Sequence, residues 1–320
     1  MHPLSKKKRL WTELEHFPKK VDGPARSGGK EIMEITGDMI KRLRERTGAG
    51  MMDCKRALEA SGGDIEGAIE HLRKKGAATG QKRAGRSAKE GVIVTRVDGT
   101  GRTGVMVEVN CETDFVGRSE DFVNFGNVVA EAIERGKPQK LDQIGNLSST
   151  SGKSISSLMN DLLAKVGEKI DIRRFDIFNS SDGRISSYTH LGNKIGVLVE
   201  LAGAGDDAEG SRVGRDIAMQ VAAMNPMVIS RDQVDKAIVD REMEIYRTQA
   251  QNEGKPPQIV DKIAMGRLEK FFQEVCLLEQ TFIKDSGKTI KDFLQEAGTK
   301  AGKAVAARRF QRFHLGEEAR

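Results

Sequence analysis

Three short stretches have the residue types and spacing that nucleotide chemistry uses. Gly99, Gly101 and Gly104 spell G-x-G-x-x-G, while Gly152-Lys153-Ser154 and Gly287-Lys288-Thr289 end like phosphate-cradling loops. Neither reading survives its context. A dinucleotide motif must open a helix, but these glycines lead into the alternating run Gly104–Val109 and read as a hairpin turn. A phosphate loop needs a glycine ahead of the Gly-Lys pair with four residues between, where this chain has Leu147 and Phe282. There is no G-x-S-x-G, no H-E-x-x-H and no Cys/His metal set, and His2, His16, His71, His190 and His314 stand in dissimilar contexts. Cys54, Cys111 and Cys276, an odd count without ligand spacing, sit in periodic apolar segments and read as buried small hydrophobes of a reducing cytoplasm. The residues point away from an enzyme, a metal or a cofactor and towards a protein that acts through its surfaces.

One stretch stands out as a surface feature, Asn110–Gly117, which reads N-C-E-T-D-F-V-G. Val105, Val107 and Val109 alternate with Met106 and Glu108, the period of a half-buried strand, and Ser119 is placed to cap a helix carrying Phe122, Val123, Phe125, Val129 and Ile133. Asp114 and Phe115 therefore fall on a strand-to-helix connection. An aromatic there is either tucked back as a helix staple or offered to a partner, and local pattern leaves both open.

The elements around it follow from periodicity. Residues 1–32 are Lys/Arg-rich, broken by Pro and Gly and aperiodic, and read as a disordered basic addition ahead of the folded body. Residues 33–76 read as three short helices, with Thr36 and Asp64 as caps, and residues 77–90 as a Gly/Ala/Lys-rich flexible tether. A hairpin and a helix follow from Gly91 to Lys137. Ile170, Ile172 and Arg174 predict the first strand of a second sheet, so that Gly91–Lys137 and Ile170–Asn225 read as a duplicated α+β unit. Ser230 is expected to cap a long helix that Gly254-Lys255-Pro256-Pro257 reverses, giving a protruding helical hairpin over residues 230–276. The expected division is a core subdomain at 91–178, a second at 179–229 and 277–300 interrupted by the hairpin, and a C-terminal segment at 301–320.

Two long stretches carry a resemblance. Thr113-Asp114-Phe115-Val116 after a valine-rich strand resembles the signature of the elongation factor Ts family, and Leu43-Arg44-Glu45-Arg46-Thr47-Gly48-Ala49-Gly50-Met51-Met52-Asp53-Cys54-Lys55 resembles its N-terminal motif. Val166-Gly167-Glu168-Lys169-Ile170, Tyr188-Thr189-His190 before Ile195–Val199, Arg247–Gly266 and the closing Arg309–Gly316 are similar to it as well. One departure is local: Gly117 stands where the family commonly has Ala. The resemblance implies an α+β fold: an N-terminal three-helix ubiquitin-associated-like domain, then two related α+β subdomains with antiparallel sheets, a coiled-coil insertion and a C-terminal extension. It implies nucleotide exchange on elongation factor Tu, in its GDP-bound and nucleotide-free forms. By the same resemblance, Thr113, Asp114, Phe115 and Val116 disturb the partner's Mg²⁺ site, with Val166, Gly167 and His190 beside them. Arg46, Thr47, Gly48, Ala49, Gly50, Met51 and Met52 grip the partner from the N-terminal module, and Arg309, Phe310, Arg312 and Phe313 contact it from the C-terminal segment.

Composition agrees with a surface-acting protein. The formal charge of +6 comes from 53 basic and 47 acidic residues interspersed, and only 5% of residues are aromatic, which does not favour direct nucleic-acid binding. The alternative is an RNA- or ribosome-binding accessory protein using Lys6–Arg9 and Lys82–Arg86. No apolar run reaches membrane-spanning length.

Overall fold

The computed structural model describes residues 34–83 and 85–317; the basic stretch expected at residues 1–32 lies outside them. Helix α1 (Gly37–Thr47) starts where Thr36 accepts a hydrogen bond from the Met39 amide at 3.3 Å and stops at Gly48, whose φ of 66° is left-handed. Helix α2 (Met51–Ala60) follows. Asp64 opens α3 (Ile65–Arg83) by accepting from the Gly67 amide at 2.7 Å. Leu43, Cys54, Leu58, Ala68 and Leu72 close a small core among the three. Helix α3 runs on through Arg83, so half of the expected flexible tether is helical. Just before the tether α3 is closely packed: a Cβ at Gly76 would lie 2.5 Å from the Asn160 carbonyl of the helix introduced below as α6.

Strands β1 (Glu90–Val97) and β2 (Thr103–Cys111) form the expected hairpin, with Gly101 at φ 71° in the turn. The G-x-G-x-x-G run is therefore that turn. A short helix α4 (Asp114–Gly117) leads into α5 (Glu120–Gly136), which Ser119 caps at Phe122, and then α6 (Ile155–Val166). The next strand, β3 (Ile170–Asn179), pairs antiparallel with β2, from Cys111↔Ile170 to Thr103↔Asn179. This corrects the expectation that residues 170–174 begin a second sheet. Alternation identifies a strand, but which edge it joins is decided by the faces that must be buried.

The second sheet is built from β4 (Arg184–Thr189), β5 (Ile195–Ala202) and, after a long excursion, β8 (Ala306–His314), in the order β4-β5-β8. Between them stand α7 (Ala208–Met224), the antiparallel pair α8 (Lys236–Asn252) and α9 (Pro257–Val275), the small ribbon β6 (Thr281–Phe282) and β7 (Asp285–Thr289), and α10 (Ile290–Ala301). Ser230 opens only a 3-10 turn and makes no side-chain cap; Asp235 caps α8 by accepting from the Ala237 amide at 2.8 Å. Gly287-Lys288-Thr289 ends β7 and enters α10 through a capping box of Thr289 and Asp292. The two three-stranded sheets share one topology. Each unit is a hairpin, two packing helices and a returning third strand: Glu90–Asn179, and Arg184–His314 with α8 and α9 inserted.

The α+β layers stack helix, sheet, sheet, helix. Helices α5 and α6 cover the outer face of the first sheet, α7 and α10 that of the second, and the two inner faces meet through Ile93, Met106, Phe178, Ile185, Leu198 and Phe313. Strand β2 is consequently buried on both sides, Met106 and Glu108 as fully as the valines, and the half-buried reading is corrected. The sheets approach so closely that a Cβ at Gly104 would meet Ile185 at 2.6 Å and one at Gly196 would meet Ile93 at 2.5 Å.

A matched pair of contacts, each made by a buried glutamate, locks the inner faces. Glu108 on β2 takes the Arg174 Nε at 2.6 Å, and the Arg174 guanidinium lies 4.2 Å from the ring centroid of Phe313 in the other sheet. Glu200 on β5 takes the Arg309 Nε at 2.6 Å, and the Arg309 guanidinium lies 4.1 Å from the ring of Phe178 in the first sheet. Each Glu–Arg pair is in cross-strand register, and a register shift follows each glutamate. Burial pushes the Glu200 carboxyl up, but hydrogen bonds from Ser180, Arg309 and Arg308 outweigh it and hold it below the ordinary range.

Because Glu200 binds its proton less readily folded than unfolded, its contribution is present above the unfolded value near about 4.3 and is lost as pH falls through the folded value. Glu200→Gln is expected to cost about 1–3 kcal/mol at pH 7 in a urea titration. Its deficit relative to the parent should shrink in the acid range, and a deficit constant with pH would contradict the coupling. The cysteines give a second test. All three are buried and free, and burial pushes the thiols up, Cys276 to about 11 and Cys111 to about 12. No thiol is expected to react with an aromatic disulfide reagent at pH 8 in the native protein, and all three once urea unfolds it.

Candidate functional site

Where β2 runs out, the ladder pair Cys111↔Ile170 is the last of the first sheet, and both chains turn away from it. On one side Thr113, in extended backbone, caps α4: its hydroxyl accepts from the Val116 amide at 3.4 Å. On the other, α6 ends at Gly167, with φ 69°, and the chain passes through Glu168 and Lys169 into β3. The two turns are bonded to each other. Glu168 accepts from the Thr113 amide at 3.0 Å and from its hydroxyl at 2.7 Å, and Glu112 accepts from the Lys169 amide at 2.7 Å. Beneath them the Cys111 thiol donates to the Thr113 carbonyl at 3.1 Å, and burial, then the Glu168 charge, pushes that thiol up to about 12.

Phe115 stands on this platform 85% exposed. The staple alternative is thereby excluded: the ring is not folded back onto α5. Asp114 pairs with Arg118 at 3.1 Å, one turn along. Val116 packs inward on the core and Gly117 is buried, where a Cβ would lie 3.3 Å from the Gly91 backbone and 3.4 Å from the Cys111 sulfur. Glycine at 117 thus lets the short helix lie directly on the start of β1.

The turn between β4 and β5 reaches the same strand end. The Ile93 amide donates to the Asn193 carbonyl at 2.7 Å, and Lys194 pairs with Glu90 at 3.1 Å. His190, at the start of that turn, is exposed, with Nδ1 2.9 Å from the Tyr188 hydroxyl. Next to it Leu191 is 91% exposed, a residue that the pattern of the sequence does not single out. The signal available was a large apolar side chain directly before the turn residues Gly192 and Asn193, both at positive φ.

The N-terminal motif approaches from the far side of α6. A Cβ at Gly48 would lie 2.8 Å from the Lys165 side chain, which itself pairs with Asp121 of α5 at 2.5 Å. Met51 and Met52 follow at 60% and 57% exposure, whereas Ala49 is core, Thr47 is tied to the Leu43 carbonyl at 2.7 Å and Arg46 pairs with Glu66 at 2.7 Å. The end of α6 therefore connects the Gly48–Met52 turn, Val166, Gly167 and the Phe115 helix.

The C-terminal residues do not join this cluster. Phe313 is 4% exposed and Arg309 is engaged with Glu200 and Phe178, so strand alternation along β8 turns them towards the inter-sheet core. Phe310 packs on the second core, and Arg312 reaches Glu317 at 3.3 Å. Among the described residues no group of His, Cys, Asp and Glu has metal-site geometry, and no helix is long and apolar enough to cross a membrane.

Comparison with known proteins finds one family and its members. The family described as Elongation factor TS matches residues 112–317. A protein named Elongation factor Ts from Prosthecochloris aestuarii is 46% identical over 288 residues, covering 89% of this chain and all of that protein. Proteins of the same name from Clostridium botulinum and Clostridium kluyveri are 44% identical over 283 residues and 45% identical over 285, each covering 88% of this chain and 93% of the relative. With the signature loop exposed on a braced helix and relatives aligned along nearly their whole length, the chain belongs to the elongation factor Ts family.

Proposed function

We propose that this chain is a nucleotide exchange factor for elongation factor Tu in the cytoplasm, acting in translation elongation without itself catalysing a chemical step. The observation that carries the reading is Phe115, 85% exposed on a helix whose root is bonded on three sides. A GTPase holds GDP through backbone amides around the phosphates and a Mg²⁺ that bridges phosphate and protein oxygens. An apolar ring driven in beside that site displaces the elements that hold the metal. Phe115 is the wedge, Asp114 and Val116 shape its helix, and Thr113 anchors it.

Binding energy gathered elsewhere offsets the distortion at the nucleotide. Met51 and Met52 supply adaptable apolar contact from the N-terminal module. The surface formed by Val166, Gly167, His190 and Leu191 receives partner elements next to the wedge. From β8, the exposed part of Arg309 and the rim around Phe310 and Arg312 orient the partner's other domains. The hairpin α8–α9 presents Ile245, Ile259 and Met265 at 40–54% exposure and offers a surface for self-association. The factor weakens nucleotide as much as nucleotide weakens the factor, so exchange is accelerated in both directions.

Release of a fluorescent GDP from elongation factor Tu, followed by stopped flow, tests this reading. The parent protein is expected to accelerate release, and Phe115→Ala to reduce the maximal rate by about tenfold or more, as loss of a central apolar anchor does. Since Phe115 makes few intramolecular contacts, its removal should change stability by less than about 0.5 kcal/mol. An unaffected rate, or no acceleration by the parent and instead salt-sensitive RNA binding, would refute the exchange role.

A further inference from the structure

The ladder between β2 and β3 ends at Cys111↔Ile170, yet the two chains remain bonded for two residues more. Glu112 reaches across to the Lys169 amide, and Glu168 reaches back to the Thr113 amide. Adjacent carboxylates have exchanged roles with the backbone, continuing the sheet through side chains. Glu112 also takes Arg86 at 3.0 Å, so the segment leading in from α3 is tied to the same point, and the Lys169 ammonium donates to the Arg86 carbonyl at 3.1 Å.

Of the four residues, Glu168 makes the contact that determines the conformation of α4. A helix of one turn does not persist by its own hydrogen bonds. It persists here because the Thr113 hydroxyl is aimed: it donates to Glu168 Oε1 at 2.7 Å, which leaves its lone pair directed at the Val116 amide. Glu168 is in turn placed by the left-handed turn at Gly167, which lets α6 end and the chain enter β3 within two residues. The family-like stretch Val166–Ile170 contains this carboxylate, but the partner contact expected from that stretch falls on Val166 and Gly167, and the Glu168 oxygens are directed at Thr113.

We infer that Glu168 is a positioning residue for exchange: through Thr113 it holds the α4 turn in the shape that presents Phe115 before any partner arrives. The inference rests on the exchange-factor reading for its consequence but not for its geometry. A preordered wedge loses no further conformational freedom on insertion. Without the clamp, the same ring would still be exposed but would sample many directions, and only a fraction of encounters would carry it to the nucleotide site.

The test uses Glu168→Ala, Thr113→Val and Thr113→Ser in the full chain, with two readouts. In the free protein, amide hydrogen exchange at residues 114–118 is expected to quicken by about tenfold in the first two variants, the factor that corresponds to one lost net hydrogen bond, and to stay at the parental level in Thr113→Ser. With elongation factor Tu, the maximal GDP-release rate should fall in the same two variants. The factor concentration at half-saturation, set by the remote contacts, should change little. The double variant should lose less than the sum of the two single ones, because both remove the same bond between the Thr113 hydroxyl and Glu168. A merely destabilised fold would instead lower the active fraction and shift half-saturation, with melting displaced to match, and would overturn the inference. So would parental exchange at 114–118 in Glu168→Ala. Should the parent protein itself fail to accelerate release, the exchange-factor reading falls, and the amide exchange of the free protein still decides the clamp.

Discussion

Everything in the core depends on how two sheets are held face to face by two buried glutamates. An isolated buried carboxylate is unstable, and each of these is met by an arginine directly across the strand pair and by further donors, Ser180 and Arg308 at Glu200 and Asn110, Arg173 and the Gly316 amide at Glu108. The arginine is then too long to end there. Its guanidinium plane crosses the gap and lies on a phenylalanine of the opposite sheet, so that one side chain satisfies a charge in its own sheet and packs on the other. Such pairs add little net stability compared with apolar residues of the same volume, but they define register sharply, because a slip of one residue would strand the buried carboxylate. Here they occur twice, in equivalent places of two equivalent units.

That fixed register has a direct consequence for the site. With β2 and β3 locked at Glu108 and Arg174, their ends at Cys111 and Ile170 have no freedom to slide. The turns that leave those ends therefore emerge at a defined separation, close enough for Glu168 to reach Thr113 and for Glu112 to reach Lys169. The second sheet contributes by the same logic: close approach at Gly196 brings the β4–β5 turn against β1, and His190 and Leu191 appear beside the strand on which Gly117 rests. A loop site assembled in this way inherits the precision of the sandwich under it.

The sequence made the local elements plain and the long-range ones obscure. The caps Thr36, Asp64 and Ser119 are read from the chain because each acts within four residues of itself. The partner of β3 was not legible, since isoleucine and arginine in alternation at Ile170, Ile172 and Arg174 suit either sheet. Nor was the double burial of β2: Glu108 looked like a solvent face, and only its arginine partner in another strand makes it an interior residue. The helical half of the tether escaped because its Gly/Ala/Lys-rich composition carries no apolar stripe to mark a helix. At the site, Asp114 and Phe115 were visible as an anomaly, an aromatic on a connection, but whether the ring turned in or out could not be decided without knowing that Val116 and Gly117 already fill the space beneath.

That last point explains why the wedge is on a helix of a single turn. On a long helix, Phe115 would belong to a face and would be drawn onto whatever core that face covers. On a flexible loop it would be exposed but undirected. One capped turn separates the inward residues, Val116 and Gly117, from the outward one, and Gly117 lies close against the start of β1 at Gly91. Because the cost of leaving the ring in water is already included in the stability of the free protein, any apolar cleft that accepts it is favoured by the full burial of a phenylalanine side chain, about 1.5–3 kcal/mol.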